Sequence, residues 1–339
     1  MKRQITSKDV AKAAGVSQSL VSFIINNTPN IKIKSETRKR VQDIAQQLGY
    51  IANVHAKSMR SQKASAIGLL STWGEGSFVF PPVISGVKTF CVRKDLGFVI
   101  CSGGKTAQGN FDFIDSYFQN RIDGLLYVSY VGVERTGVIE KLEEFGIPYV
   151  CIIGAKDLSD VSCVDVNFYE SGYLAVKHLA EKGYKHIAFA SYIEEKKLNY
   201  ADKERFTGCS IAAIDFKIQI FYVPFFIGAN TEQQYLSACE RLFNADISDA
   251  VVSTSYTCFA VLKAAAKCKI SIPKAYGVIS FDNEQYAPYL FPSLTTIDEP
   301  LFEIAEKAAS LLYDNINEEA TCQKIELLPK ITIRESTAR

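Results

Sequence analysis

The sequence predicts an all-α helix-turn-helix head joined to a two-lobed α/β body with parallel sheets. Three observations predict it. Positive charge gathers at the start: residues 1–60 hold eleven Lys/Arg against three Asp/Glu, and the rest of the chain holds 27 against 34. Inside that basic segment, AGVSQSLVSFIINN (13–26) places apolar residues at helical spacing opposite a face of small hydrogen-bonding side chains with almost no charge. From residue 65 onward, short apolar runs alternate with helical stretches, the rhythm of βα units.

The head parses into three helices. In TSKD, Thr6 stands three residues before Asp9, a capping-box-like start, and the first helix runs to about Ala14. Gly15 supplies the turn and Ser17 caps the second helix. Its inner stripe is Val16, Leu20, Val21, Ile24 and Ile25, and its outer face carries Gln18, Ser19, Ser22 and Asn26, with Phe23 as the exception. A third helix begins near Ser35 and ends at Leu48, stopped by Gly49. A helix lying in a DNA major groove needs such a face: Gln pairs bidentately with adenine and Ser bonds to several bases. Lys12, Lys32, Lys34, Arg38, Lys39 and Arg40 supply a rim for phosphates. A small helical bundle with a polar surface is the blander alternative.

In the body, SAIGLLST, LGFVICS, DGLLYVSY and PYVCIIG read as one set of strands, and HIAFASY, FYVPFFIG, DAVVST and YGVISFD as a second. Catalytic signals are weak. GGKT (103–106) follows a strand, but the glycine a P-loop requires falls on Val99. No strand is followed by G-x-G-x-x-G, and no G-x-S-x-G occurs. The two acids of FDNEQY (281–286) read as a solvated loop. Nine cysteines without a C-x-x-C pair and three dispersed histidines predict reduced thiols and no metal site, and no cofactor is expected. No apolar run reaches the roughly 18 residues of a membrane span. MKRQITSKDV lacks the apolar core of a secretory signal, so a cytoplasmic protein without membrane partners is expected.

Residues 5–60 resemble the LacI/GalR family of bacterial transcription regulators. KDVAKAAGVSQSLVSFIINN, ETRKRVQDIAQQLGY and NVHAKSMRS follow that family's motifs in order and spacing, and the likeness extends to LLPKITIRESTA at the other end. The resemblance implies a DNA-binding domain over 1–50, a hinge over 51–62, and an effector-binding and dimerisation body over 63–339 of the periplasmic-binding-protein-like kind. It implies chain crossings near 165, 292 and 326, giving lobe 1 as 63–164 with 293–326 and lobe 2 as 165–292 with 327–339. Carried over, the DNA contacts are Thr6, Ser17, Gln18, Ser19, Ser22, Phe23, Asn26 and Thr37, with Asn53, Ala56, Lys57 and the wedge residue Met59 from the hinge. The effector contacts are Trp73, Ser77, Phe80, Asn167, Phe168, Arg205, Ser255, Tyr256 and Asp282. Two polar pairs of the family are altered, to Asn167-Phe168 and Ser255-Tyr256, and Phe23 stands where some members carry arginine. The reading is a homodimeric repressor on a near-palindromic double-stranded operator, tuned by a small carbohydrate-like effector. A solute-binding protein and an α/β enzyme are the alternatives.

Overall fold

The head begins as its sequence dictates. In the computed structural model, the carboxylate of Asp9 accepts from the backbone N–H of Thr6 at 2.8 Å and from its hydroxyl at 2.7 Å, closing the start of α1 (Ser7–Ala14). Gly15 ends it at φ +66°, in the left-handed region that glycine enters cheaply. The Ser17 hydroxyl then accepts from Leu20 N–H at 3.2 Å and caps α2 (Gln18–Ile25), and α3 (Ser35–Gln47) braces the pair. Val10, Ala14, Val21, Ile24, Val41 and Ala45 are buried together, with Val16, Leu20 and Ile25 packed against them, so the expected stripe is the core. The described residues of the chain are 5–25, 31–50, 64–71, 79–107, 109–129, 132, 135–191, 194–224, 231–317 and 321–339. The expected hinge and the site residues Asn26, Asn53, Ala56, Lys57, Met59, Trp73 and Ser77 lie outside them.

Residues Met1–Ala64 and Ser65–Arg339 form separate compact units. In the second unit, β1 (Ala66–Ser71), β2 (Gly97–Cys101), β3 (Gly124–Val128), β4 (Tyr149–Ile152), β5 (Cys163–Val166) and β11 (Lys324–Leu327) form one sheet in the order β11-β5-β4-β3-β1-β2, every pair parallel. The other sheet contains β6 (His186–Ala190), β7 (Gln219–Val223), β8 (Ala250–Ser253), β9 (Gly277–Ser280), β10 (Thr295–Asp298) and β12 (Lys330–Thr332), ordered β12-β10-β9-β8-β6-β7. Both sheets are buried on two faces. Lobe 1 is covered by α4 (Phe80–Arg93), α5 (Asp112–Phe118), α6 (Glu140–Glu144) and α11 (Leu301–Asn317). Lobe 2 is covered by α7 (Phe168–Glu181), α8 (Tyr200–Asp215), α9 (Glu232–Asn244) and α10 (Ser255–Lys267).

Three details depart from the sequence reading. The second crossing between lobes lies at Glu299–Pro300 rather than near 292, because Thr295–Thr296 pair with Ile279–Ser280 of lobe 2. The second sheet is not wholly parallel: β12 runs antiparallel to β10, as an edge strand reached directly from lobe 1. Of the run FYVPFFIG, Phe221, Tyr222 and Val223 belong to β7, which starts at Gln219 and ends before Pro224, a residue with no N–H for the ladder, and 225–228 lie outside the described residues.

Candidate functional site

On the head, α2 presents Gln18 and Ser19 to solvent at its first turn, where a groove-lying helix meets base edges. One hydrogen of the Gln18 Nε2 goes to the Ser7 hydroxyl at 2.8 Å, leaving the other and the Oε1 available for an adenine. Ser22 is half-buried and Phe23 is 38% exposed, a large apolar ring on an otherwise polar face. Thr6 and Ser17, the two cap residues, are exposed, and Thr37 is half-buried in the first turn of α3. Lys8, Lys12, Lys32, Lys34, Lys39 and Arg40 are exposed around them.

In the body, two of the chain crossings and the carboxyl ends of β9 and β10 border a cavity of about 600 Å³, within the range of small-molecule sites. Pro81, Pro82, Asp282, Glu284, Glu299 and Lys330 are among its walls. Loops at strand carboxyl ends are where α/β folds bind ligands. The acids of FDNEQY are therefore wall residues rather than a solvated loop. Burial and the nearby charge of Asp282 push the Glu284 carboxyl up to about 7. Burial also raises the Asp282 carboxyl, against the opposing pull of Arg205.

Arg205, in α8, is 3% exposed and lies behind this cavity. Its Nε and Nη2 donate to Glu299, and its Nη1 donates to Asp202 at 3.2 Å. Asp282 stands 3.8 Å from Nη2. The guanidinium is sandwiched between the rings of Phe168 and Phe281, at 4.9 and 4.8 Å from their centroids. Phe168 and Phe80 are buried. Asn167 caps α7 through its Oδ1, which accepts from Glu170 N–H, while its Nδ2 donates to Glu326 at 2.7 Å. Ser255 is buried, its hydroxyl bonded to Ser280 and to the Asp282 carbonyl. Tyr256 points away, 52% exposed and edge-on to Tyr235 at 4.8 Å.

Of the nine expected effector residues, then, only Asp282 borders the cavity among those described. Arg205, Phe168, Phe80 and Ser255 are buried, with Arg205 and Ser255 against Asp282 and Phe168 against Arg205, and Asn167 and Tyr256 are engaged elsewhere. The sequence reading missed Asp202, Glu299 and Lys330. Asp202 was findable, since it precedes Arg205 by one helical turn. Glu299 lies 94 residues away and carried no local signal. The GGKT loop binds a carboxylate of its own: Asp112 accepts from the N–H groups of Ser102 and Gly103 at 2.6 and 3.0 Å. Among the described residues no group of His, Cys, Asp and Glu is arranged to hold a metal, and no helix is long and apolar enough to cross a membrane.

Residues 6–53 match the bacterial regulatory proteins of the lacI family, and residues 176–337 match the periplasmic binding protein-like domain. Catabolite control protein A of Priestia megaterium is 24% identical over 336 residues, covering 98% of this chain and 99% of its own. The HTH-type transcriptional repressor PurR of Vibrio parahaemolyticus is 29% identical over 349 residues, with the same coverage. Among solved structures, the lac repressor dimer bound to operator and the anti-inducer ONPF superposes with a TM-score of 0.80 at 17% identity over 99% of both chains. The transcriptional regulator CelR in complex with cellobiose superposes with a TM-score of 0.67 at 23% identity over 98% of this chain and 100% of that one. At those identities the structures speak for the fold, and the sequence matches speak for descent. A lacI-type DNA-binding head followed by a two-lobed periplasmic-binding-protein-like body, aligned end to end with transcriptional repressors, places this chain in the LacI family of bacterial transcription regulators.

Proposed function

We propose that the chain acts as a cytoplasmic homodimeric repressor, without enzymatic activity, that binds a near-palindromic operator and changes its affinity when a small effector occupies the body. The observation that carries the DNA reading is the exposed Gln18-Ser19 pair opening α2, set on a head with exposed lysines around it. Gln18, Ser19, Ser22 and Phe23 are the base-reading residues of this proposal, Thr6, Ser17 and Thr37 its backbone contacts, and Met59 its minor-groove wedge. Two half-sites call for two copies, and lobe 2 offers an apolar surface for that purpose. Tyr286, Tyr289 and Phe291 are 53%, 85% and 94% exposed, far more than large aromatics usually are unless something covers them.

A carbohydrate or its derivative is the proposed effector, with Asp282 at the wall as its contact. The size of the cavity supports this, as do the cellobiose complex of CelR and the bound ribose of a LacI-family regulator from Enterococcus faecium, both of the same fold. The test is a gel shift with DNA fragments from the gene's own neighbourhood, with and without candidate sugars. Specific retardation that a sugar alters is the expected result. A chain that retards no fragment, or all of them alike, is not a sequence-specific regulator.

A further inference from the structure

Asp165 is a buried carboxylate that none of the expected sites uses. It lies near the end of β5 in lobe 1, 5% exposed. Its Oδ1 accepts from Val166 N–H at 2.8 Å and its Oδ2 from Gly154 N–H at 3.1 Å. A third donor arrives from the other lobe: the hydroxyl of Tyr200, the first residue of α8, reaches Oδ2 at 3.2 Å. The backbone around this contact leaves little slack. Gly154 sits at φ +83°, where a Cβ would come within 2.2 Å of the Ser129 carbonyl, and a Cβ on Gly132 would stand 3.3 Å from that of Tyr200. The Tyr200 ring meets Phe168 edge-on at 5.9 Å, and Ala201 is buried within the apolar cluster of lobe 1. The first turn of α8 belongs to lobe 2 by its packing, yet it is seated in lobe 1.

We propose that the Tyr200–Asp165 bond is a latch between the two lobes, which holds the body shut and whose release lets the lobes part. The latch is built from the chain's own groups and concerns lobe geometry alone, so it stands or falls independently of what the effector is. Its chemistry links closure to protons. Around Asp165 and its partner stand Glu326 and Lys324 on β11, Cys151 on β4, Cys163 on β5 and Glu204 on α8. Burial dominates this environment and pushes the Asp165 carboxyl up to about 6, although three hydrogen bonds pull the other way. In an opened body the carboxylate meets water and titrates near its ordinary value of about 3.9. The shut state therefore binds the proton more tightly. Closure strengthens as pH falls from neutral through 6 and weakens as the proton leaves. The Tyr200 hydroxyl can donate to either form.

The chain supplies its own probes for the test. Cys322, beside β11, and Cys268, after α10, are exposed on lobe 1 and lobe 2 respectively, while the other seven cysteines are buried. Spin labels on this pair, in full-length chains diluted with unlabelled ones, report the distance between lobes by pulsed electron resonance. Between pH 7.5 and 5.0 the ratio of shut to open chains should rise by about tenfold. Tyr200→Phe should lower that ratio at both pH values by roughly two- to tenfold, the worth of one hydrogen bond. Asp165→Asn, which fixes the carboxyl in a neutral form, should remove the pH response. Circular dichroism checks that each variant is folded, and if Asp165→Asn is not, Tyr200→Phe decides alone. Distances in Tyr200→Phe that match the parent at both pH values, or a pH response that survives in folded Asp165→Asn, overturn the latch.

Discussion

In the proposed reading, Gln18 serves both fold and recognition, and its hydrogen bond to Ser7 links the two. Ser7 holds the amide in place before DNA arrives, so less side-chain freedom is lost on binding. Gln18→Ala should cost about 1–3 kcal/mol on the operator and little on random DNA, as titrations against both duplexes would reveal. Arg205 sends the opposite message. The family resemblance implies a ligand grip for it, but its guanidinium is held by Glu299 and Asp202 and enclosed by two rings. Arg205→Ala should then strip buried carboxylates of their counter-charge and destabilise the body by roughly 3–5 kcal/mol, read from urea unfolding. A variant as stable as the parent would return Arg205 to the effector. The two cases mark how far single residues can be read from sequence. Gln18 lies on a short helix whose exposed face follows from local periodicity. The surroundings of Arg205 come from Glu299 in a crossing segment and Phe281 after a strand, pairings that no local pattern encodes.

Elements were more legible than contacts. The three helices of the head were visible because their caps are local: Asp9 on Thr6, Gly15 in the left-handed region, Ser17 on Leu20. Eight strands announced themselves as apolar runs, whereas β5, β10, β11 and β12 did not. Each of these is three or four residues long, and LysIleGluLeu at 324–327 alternates like a half-exposed edge. The crossing near 292 came from the family resemblance; because β10 pairs with β9, it moves to Glu299–Pro300. The division into units at residue 64 makes the head removable. Deleting residues 1–60 should abolish operator binding yet leave a cooperatively folding body. For the proposed dimer, log K should fall with log salt at about −0.9 per phosphate neutralised, and a slope near zero would move the nucleic-acid site elsewhere. The loop of lobe 2 carrying Tyr289 and Phe291 has a role of its own to test. Changing both to Asp should give monomers in sedimentation analysis and weaken operator binding with them, because a lone half-site forfeits the second head.

At the scale of the whole molecule, the proposed operator and effector would be linked by thermodynamics. Whatever factor the proposed sugar effector imposes on DNA affinity, DNA must impose on its affinity. Calorimetry of the sugar against free and operator-bound protein should return that same factor, and unequal factors would show that a third equilibrium takes part. The pair of strands β11 and β12 carries a different kind of consequence. Residues 324–327 complete the sheet of lobe 1, and residues 330–332, three positions later, complete that of lobe 2. Ser336 and Thr337 then fasten Thr295, Val278 and His178. Until residues 324–332 are made, β5 and β10 each present an open edge. A growing polypeptide therefore cannot finish one lobe and go on to the next. Both wait, sticky-edged, for the same segment, 324–332, and a ribosome that stalls in the 320s leaves two unfinished domains, not one.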